Sequence, residues 1–228
     1  MAERLAPDGL RQPLLRDQQR EPPRLLLASS SPARLRLIRA AGVEPVVLPS
    51  DVDETAVLRQ IRAERGTLSP ADEALVLARA KAEAVAPRVS GVVLLGCDSV
   101  LELDRAAYGK PKGSDEAMQR WMRMRGRSGV LHTGHWLIDR RSTDSPSRGE
   151  VASTTVHFAD VTAAEIAAYV ATGEPLDVTG AFTIDGLGGA FVERVDGDPA
   201  NVVGLSLPLL RRMLADVGVS WTDLWSNP

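Results

Sequence analysis

Val92-Val93-Leu94-Leu95-Gly96-Cys97-Asp98-Ser99-Val100-Leu101-Glu102-Leu103 sets one carboxylate directly behind a run of buried-strand character. Val92 to Leu95 is continuously apolar, the pattern of a strand covered on both faces, and so implies a sheet wrapped by helices. Asp98 ends that run, and Val100 to Leu103 resumes the strand pattern. A charge held against an apolar strand is costly unless a cation, a ligand or a hydrogen-bond network compensates it. An ordinary strand-end turn, where Asp is common, fits these residues equally well. The choice depends on the rest of the chain.

Upstream, Leu25-Leu26-Leu27-Ala28 is a short buried strand that runs into Ser29-Ser30-Ser31-Pro32. Ser31 suits a helix N-cap and Pro32 the first helical position. Leu35, Ile38 and Ala41 give that helix an apolar stripe, and Gly42 stops it. Val46-Val47-Leu48 reads as the next strand, followed by an acidic turn at Asp51-Val52-Asp53-Glu54. Ser69-Pro70 repeats the cap-then-proline signal and opens a helix to about Ala86, with Leu77, Ala78, Lys81 and Val85 on one side.

Downstream, a helix is expected over 114–124 and an antiparallel pair over 130–138 and 151–158, joined by the polar loop 140–148. Thr162-Ala163-Ala164-Glu165 is a capping box. A glycine-rich passage from Gly180 to Gly189, a strand at 190–193 and a helical segment at 205–217 complete the chain. Early strand–helix alternation followed by antiparallel strands predicts an α/β fold with a mixed sheet.

The 228 residues, 44% hydrophobic and 25% charged, suit one sizeable α/β domain or two small lobes around a cleft. We expect a disordered tail at 1–23, a domain at 24–217 and a C-terminal tail at 218–228. A formal net charge of −3 gives no broad attraction for nucleic acid, so any anion site must come from local cations. Few aromatics and no interleaving of them with basic residues argue the same way. The single cysteine, Cys97, excludes an intrachain disulfide and a cysteine-based zinc site, and suits a reducing cytoplasm. No apolar run approaches a membrane span.

Three constellations carry chemistry. At Ser29-Ser30-Ser31-Pro32-Ala33-Arg34, helix amides, hydroxyls and a guanidinium make a local anion site, although a capped helix with a solvent-facing Arg is the commoner outcome. The glycines of a P-loop are absent. Asp51, Asp53, Glu54 and Asp98 are oxygen donors of the kind Mg2+ or Mn2+ prefers, and a solvated acidic turn explains Asp51 and Asp53 as well. Lys81 on its apolar helix face and Lys110 in the rigid Gly109-Lys110-Pro111 loop are each ordinary surface lysines taken singly; together with Arg34 they could converge on a polyphosphate. His132, His135 and His157 lack zinc-ligand spacing.

These motifs occur in the order of a known family. Leu27-Ala28-Ser29-Ser30-Ser31-Pro32-Ala33-Arg34 resembles the opening signature of the Maf nucleoside triphosphate pyrophosphatases. Val52-Asp53-Glu54, Lys81-Ala82, Gly96-Cys97-Asp98-Ser99, Gly109-Lys110-Pro111, Thr133-Gly134, Gly173-Glu174-Pro175-Leu176-Asp177, Gly180-Ala181-Phe182-Thr183-Ile184-Asp185-Gly186 and Asn201-Val202-Val203-Gly204-Leu205 follow in family order. The resemblance implies a mixed twisted sheet with flanking helices and two lobes around a central cleft, as in the inosine triphosphate pyrophosphatases. It implies cleavage between the α and β phosphates with a divalent metal, Mg2+ or Mn2+, and it allows a homodimer.

By motif, Asp98 matches the proton acceptor, and Arg34, Glu54, Lys81 and Lys110 match the other polar residues of the phosphate-and-metal site. Asp98 and Glu54 would hold the metal, while Ser29, Ser31, Arg34, Lys81 and Lys110 would hold phosphates. Members acting on dTTP and UTP usually carry Arg, Thr and Gln where this chain has Ala33, Ser99 and Asp185; the 7-methyl-GTP branch carries Trp, Gln and Glu. Ala33, Ser99 and Asp185 match neither set and are closest to an actinobacterial-type branch with a general nucleotide pyrophosphatase assignment. The rival from another class is a nucleotide-binding regulator of division or stress that needs no hydrolysis.

Overall fold

A computed structural model describes residues 23–226. The expected N-terminal tail lies almost wholly outside the described residues. In chain order the strands are β1 (Arg24–Leu27), β2 (Val46–Val47), β3 (Val92–Leu103), β4 (Ala106–Tyr108), β5 (Ser128–Asp139), β6 (Ser147–Phe158) and β7 (Val192–Asp196). The helices are α1 (Pro32–Ala40), α2 (Glu54–Arg65), α3 (Pro70–Val85), α4 (Ser114–Met124), α5 (Ala163–Ala171), α6 (Pro199–Val203) and α7 (Leu207–Asp216). The strands form one sheet in the order β2-β1-β3-β5-β6-β7, with β4 paired to β3. β1 runs parallel to β2 and β3, and the other pairs are antiparallel. The mixed sheet flanked by helices is the α/β fold expected.

β3 is the spine. Val93, Leu95 and Cys97 pack against Ile38 of α1 and Leu209, Leu210, Met213 and Leu214 of α7. Leu101 and Leu103, further along the same face, enter a second core with Trp121, Phe158, Ile166 and Tyr169. The opposite face packs Val92 and Leu94 against Ala82 and Val85 of α3. Alternation along one extended strand therefore serves separate cores at its two ends, and Ser99 falls at the junction.

One edge of β3 explains the cleft. β1 pairs with it only through Leu95, and β4 begins only at Leu101. Among the described residues, no strand covers that edge from Gly96 to Val100. The other edge pairs with β5 without a break from Val93 to Glu102. Asp98 thus sits in mid-strand, not at a strand end or in a turn. The continuous β5 ladder satisfies the backbone around it, so the carboxylate interrupts the hydrophobic pattern without interrupting the strand.

α3 lies unusually close to the sheet here. A Cβ on Gly96 would stand 2.2 Å from the Ala78 carbonyl oxygen, and one on Gly134, which pairs with Asp98, 2.3 Å from that of Ala74. Only hydrogen fits at either position. The close approach puts Lys81, one turn beyond Ala78, beside Asp98, two residues beyond Gly96.

Other expectations need correction. The acidic turn is the start of α2: the Asp53 side chain accepts the Ala56 amide at 2.9 Å as N-cap, and Glu54 is the first helical residue. α2 has no fully buried residue, so it carries no strong apolar stripe to read. The helical segment expected at 205–217 begins at Leu207, after the separate short helix α6. The strand expected at 190–193 starts at Val192, following a short 3-10 segment. The C-terminal tail at 218–228 is not a free tail over its described part. Val219 and Leu224 enter the first core, and Trp225 bridges to Val43. Among the described residues, no helix is long and apolar enough to cross a membrane.

Candidate active site

The open edge of β3 forms the floor of a cleft of about 1160 Å³, walled by the start of α1, by α2 and α3, and by the glycine-rich passage after α5. All ten candidate site residues line it: Ser29, Ser31, Ala33 and Arg34 at the strand-to-helix turn, and Glu54, Lys81, Asp98, Ser99, Lys110 and Asp185 around the rest of the wall.

Asp98 is buried, with 8% of its surface exposed. Lys81 Nζ stands 2.5 Å from Asp98 Oδ1 and 2.7 Å from Glu54 Oε1, so one ammonium joins two carboxylates from separate elements. Burial pushes the Asp98 carboxyl above its ordinary pKa, against the opposing pull of Lys81 and Arg34. Lys81 is mostly buried, whereas the Glu54 side chain is half exposed.

Arg34 is held on every side. Its Nε donates to the Gly204 carbonyl at 2.7 Å, Nη1 to Ser29 Oγ at 3.2 Å and Nη2 to Ser99 Oγ at 3.0 Å. The solvent-facing alternative is thereby corrected: the guanidinium is buried. Ser29 Oγ also accepts the Ser31 amide, and Ser31 Oγ caps α1 by accepting the Arg34 amide at 3.4 Å. Ser99 Oγ shares a further hydrogen bond with Thr133 Oγ1 at 2.9 Å. Ser99 is therefore tied into the support of Arg34 as well as lining the cleft.

Several supporting residues were not singled out for a role in sequence. Asn201, fully buried, donates to the Leu131 and Ala152 carbonyls at 3.2 Å and so pins α6, whose end presents the Gly204 carbonyl to Arg34. Arg120 donates to the Gly109 carbonyl at 2.5 Å and thereby fixes the loop carrying Lys110, whose own side chain is exposed on the rim. Arg36 reaches from α1 across the cleft mouth to Asp185 Oδ2 at 3.3 Å. The Thr133-Gly134 and Asn201–Leu205 motifs are visible as signatures, but the bond of Thr133 to Ser99 and that of Gly204 to Arg34 depend on the fold.

Cys97 is no nucleophile candidate, because burial pushes its thiol up to about 12. Among the described residues, no group of three or more His, Cys, Asp or Glu side chains could form an all-protein metal cage. Glu54 and Asp98 already converge on one cation, Lys81. Two carboxylates completed by phosphate oxygens are a usual donor set for Mg2+, so these residues fit such an ion.

The comparisons agree with this architecture. The Maf-like protein family model matches residues 24–217. A nucleoside triphosphate pyrophosphatase of Salinispora tropica is 58% identical over 213 residues, covering 90% of this chain and 89% of the relative. Those of Leifsonia xyli and Streptomyces coelicolor, with the same name, are 53% and 54% identical, covering 90% and 89% of this chain and 97% and 95% of the relatives. With a match across most of its length and an open-edged β3 carrying Asp98 into the cleft, the chain belongs to the Maf-like protein family.

Proposed function

We propose that this chain is a nucleoside triphosphate pyrophosphatase, hydrolysing a nucleoside triphosphate to the monophosphate and pyrophosphate. The observation that carries the reading is Lys81 joined to both Asp98 and Glu54 beside the buried Arg34, in one cleft. That arrangement supports a reading in which a carboxylate base and held cations face a polyphosphate. The names of the similar proteins from Leifsonia, Salinispora and Streptomyces support the same reaction class.

In the proposed mechanism, Asp98 orients a water toward the α-phosphorus and accepts its proton as the new P–O bond forms. The bond from the α-phosphorus to the bridging oxygen breaks, and pyrophosphate leaves. Lys81, Lys110 and Arg34, with the Ser29 and Ser31 hydroxyls, hold the phosphates and offset the charge gathering on the leaving group. Glu54 and Asp98 would hold a divalent cation, Mg2+ or Mn2+, which when bound lowers the pKa of coordinated water and neutralises phosphate charge. Burial makes Asp98 a better proton acceptor than a free carboxylate, because it favours the protonated form.

For the base, Ala33 leaves room and Asp185 offers an acceptor for an exocyclic amine or imino group, which suits guanine or a modified base. The single cysteine and a nucleotide substrate support a cytoplasmic location. Pyrophosphate release measured over common and modified nucleoside triphosphates, with Mg2+ and with Mn2+, tests the reading. Metal-dependent release from at least one nucleotide is expected. Tight nucleotide binding with no release from any would favour the regulator instead, and a profile confined to dTTP and UTP would refute the base assignment.

A further inference from the structure

Asp185 stands in a segment with little regular structure, so something must hold it at the cleft wall. We propose that Glu174 is the positioning residue for base recognition, acting as a carboxylate clamp on the loop that carries Asp185. This rests on the pyrophosphatase reading, and it assigns to Glu174 a role in choosing the nucleotide rather than in cleaving it.

Both oxygens of Glu174 are engaged by that loop. Oε2 accepts the Leu187 amide at 2.9 Å, and Oε1 accepts the Gly188 amide at 2.9 Å. The Tyr169 hydroxyl, from α5, donates to Oε1 at 2.8 Å. Tyr169 is itself buried in the second core, so the clamp is anchored to that core. Burial alone would raise the Glu174 carboxyl, yet the Gly188 and Leu187 amides outweigh it and hold the group below its ordinary value. The carboxylate is thus ionised and fully engaged at neutral pH.

The loop has the shape such a clamp demands. A Cβ on Gly186 would stand 2.4 Å from Glu174 Oε2, and one on Gly188 would stand 2.3 Å from the Tyr169 hydroxyl. The backbone therefore lies directly on the two clamping groups. Asp185 immediately precedes this contact, its carboxylate hydrogen-bonded to Thr183 Oγ1 and paired with Arg36. Glu174 is remote from the Lys81–Asp98 pair in connectivity: none of its hydrogen bonds reaches a phosphate-side residue.

The test compares Glu174→Ala and Glu174→Gln with the unaltered full chain, using a panel of nucleoside triphosphates and inorganic tripolyphosphate as a competitive inhibitor. Glu174→Ala should lower kcat/KM for the preferred nucleotide about tenfold, mainly through KM, because a small displacement of a recognition group is costly. It should also level the preference between the best and poorest bases while leaving tripolyphosphate inhibition unchanged. Glu174→Gln, which keeps one acceptor oxygen, should recover part of the preference. An equal loss on every base accompanied by weaker tripolyphosphate inhibition would overturn the proposal, as would an unchanged base preference. Amide hydrogen exchange at Leu187 and Gly188 separates this failure from failure of the pyrophosphatase reading. If no nucleotide is hydrolysed, faster exchange in both variants still supports the clamp, and unchanged exchange overturns it.

Discussion

At the Asp98 end of the cleft, Asp98 of β3, Glu54 of α2 and Lys81 of α3 form one ion network beside the buried Arg34 of α1. At the Asp185 end, the acidic group lies between two short 3-10 turns, and its partner Arg36 keeps 65% of its side chain exposed. Water screens the second pair, whose contribution falls in the range of about 0–1 kcal/mol for surface ion pairs. In the first network, Lys81 and Asp98 are largely desolvated, so removing Lys81 leaves the Asp98 carboxylate uncompensated. The phosphate side is prearranged by buried charge, whereas on the base side only the Arg36–Asp185 pair can part at little cost, the loop behind Asp185 being held by Glu174.

The largest effect that could break this contrast is at Asp98. Asp98→Asn is expected to lower kcat by about 10³-fold, within the range for a general base, with the melting temperature and nucleotide affinity preserved. Turnover close to that of the unaltered chain would remove Asp98 from the mechanism. Lys81→Met should lower kcat/KM by about 10²-fold. It should also move the acid limb of the pH profile upward. Burial raises Asp98 and Lys81 opposes that rise, so losing Lys81 carries the group still higher and its base form is lost at a higher pH. An acid limb that stays in place would show that another group governs it.

Gly134→Val tests whether the close approach of α3 builds the site. Overpacking against Ala74 should cost about 1–3 kcal/mol, read as a lower denaturation midpoint, and should separate Lys81 from Asp98, read as lost activity. His135 sharpens the same comparison through pH. It is fully buried, donates from Nδ1 to the Thr133 carbonyl and accepts the Ser206 amide at Nε2. Burial lowers its pKa from 6.5 to about 4, so the unfolded chain binds the extra proton in that interval. Stability is therefore full above pH 6.5 and falls as the pH drops toward 4, and His135→Gln should flatten that part of the denaturation curve. The smallest change is expected from Arg36→Ala, a few-fold shift in base preference with stability unchanged. A large loss of stability there would mean that the base side is as rigid as the phosphate side.

Local chemistry made much of the fold readable. Ser31-Pro32, Ser69-Pro70 and the Thr162–Glu165 capping box start helices where expected, because a cap and its first turn are contiguous in sequence. The same locality hid α2, which has no fully buried face, and disguised Asp98 as a possible strand end. Val219 and Leu224 show the limit from the other side. Their short apolar stretch lacks a helical period, yet it closes the first core.

By itself, the sequence determined the chemical inventory: a serine-rich helix start, two carboxylates, two lysines, an arginine and the order of the motifs that mark the family. Tertiary structure decided which of these meet. Glu54, Lys81 and Asp98 join because Gly96 and Gly134 let α3 settle against the sheet. Arg34 turns inward because Gly204, Ser29 and Ser99, scattered along the chain, offer acceptors at one point. The physical reason is range. Caps and periodicities act over a few residues, whereas desolvation and charge pairing depend on what the fold brings within a few ångströms.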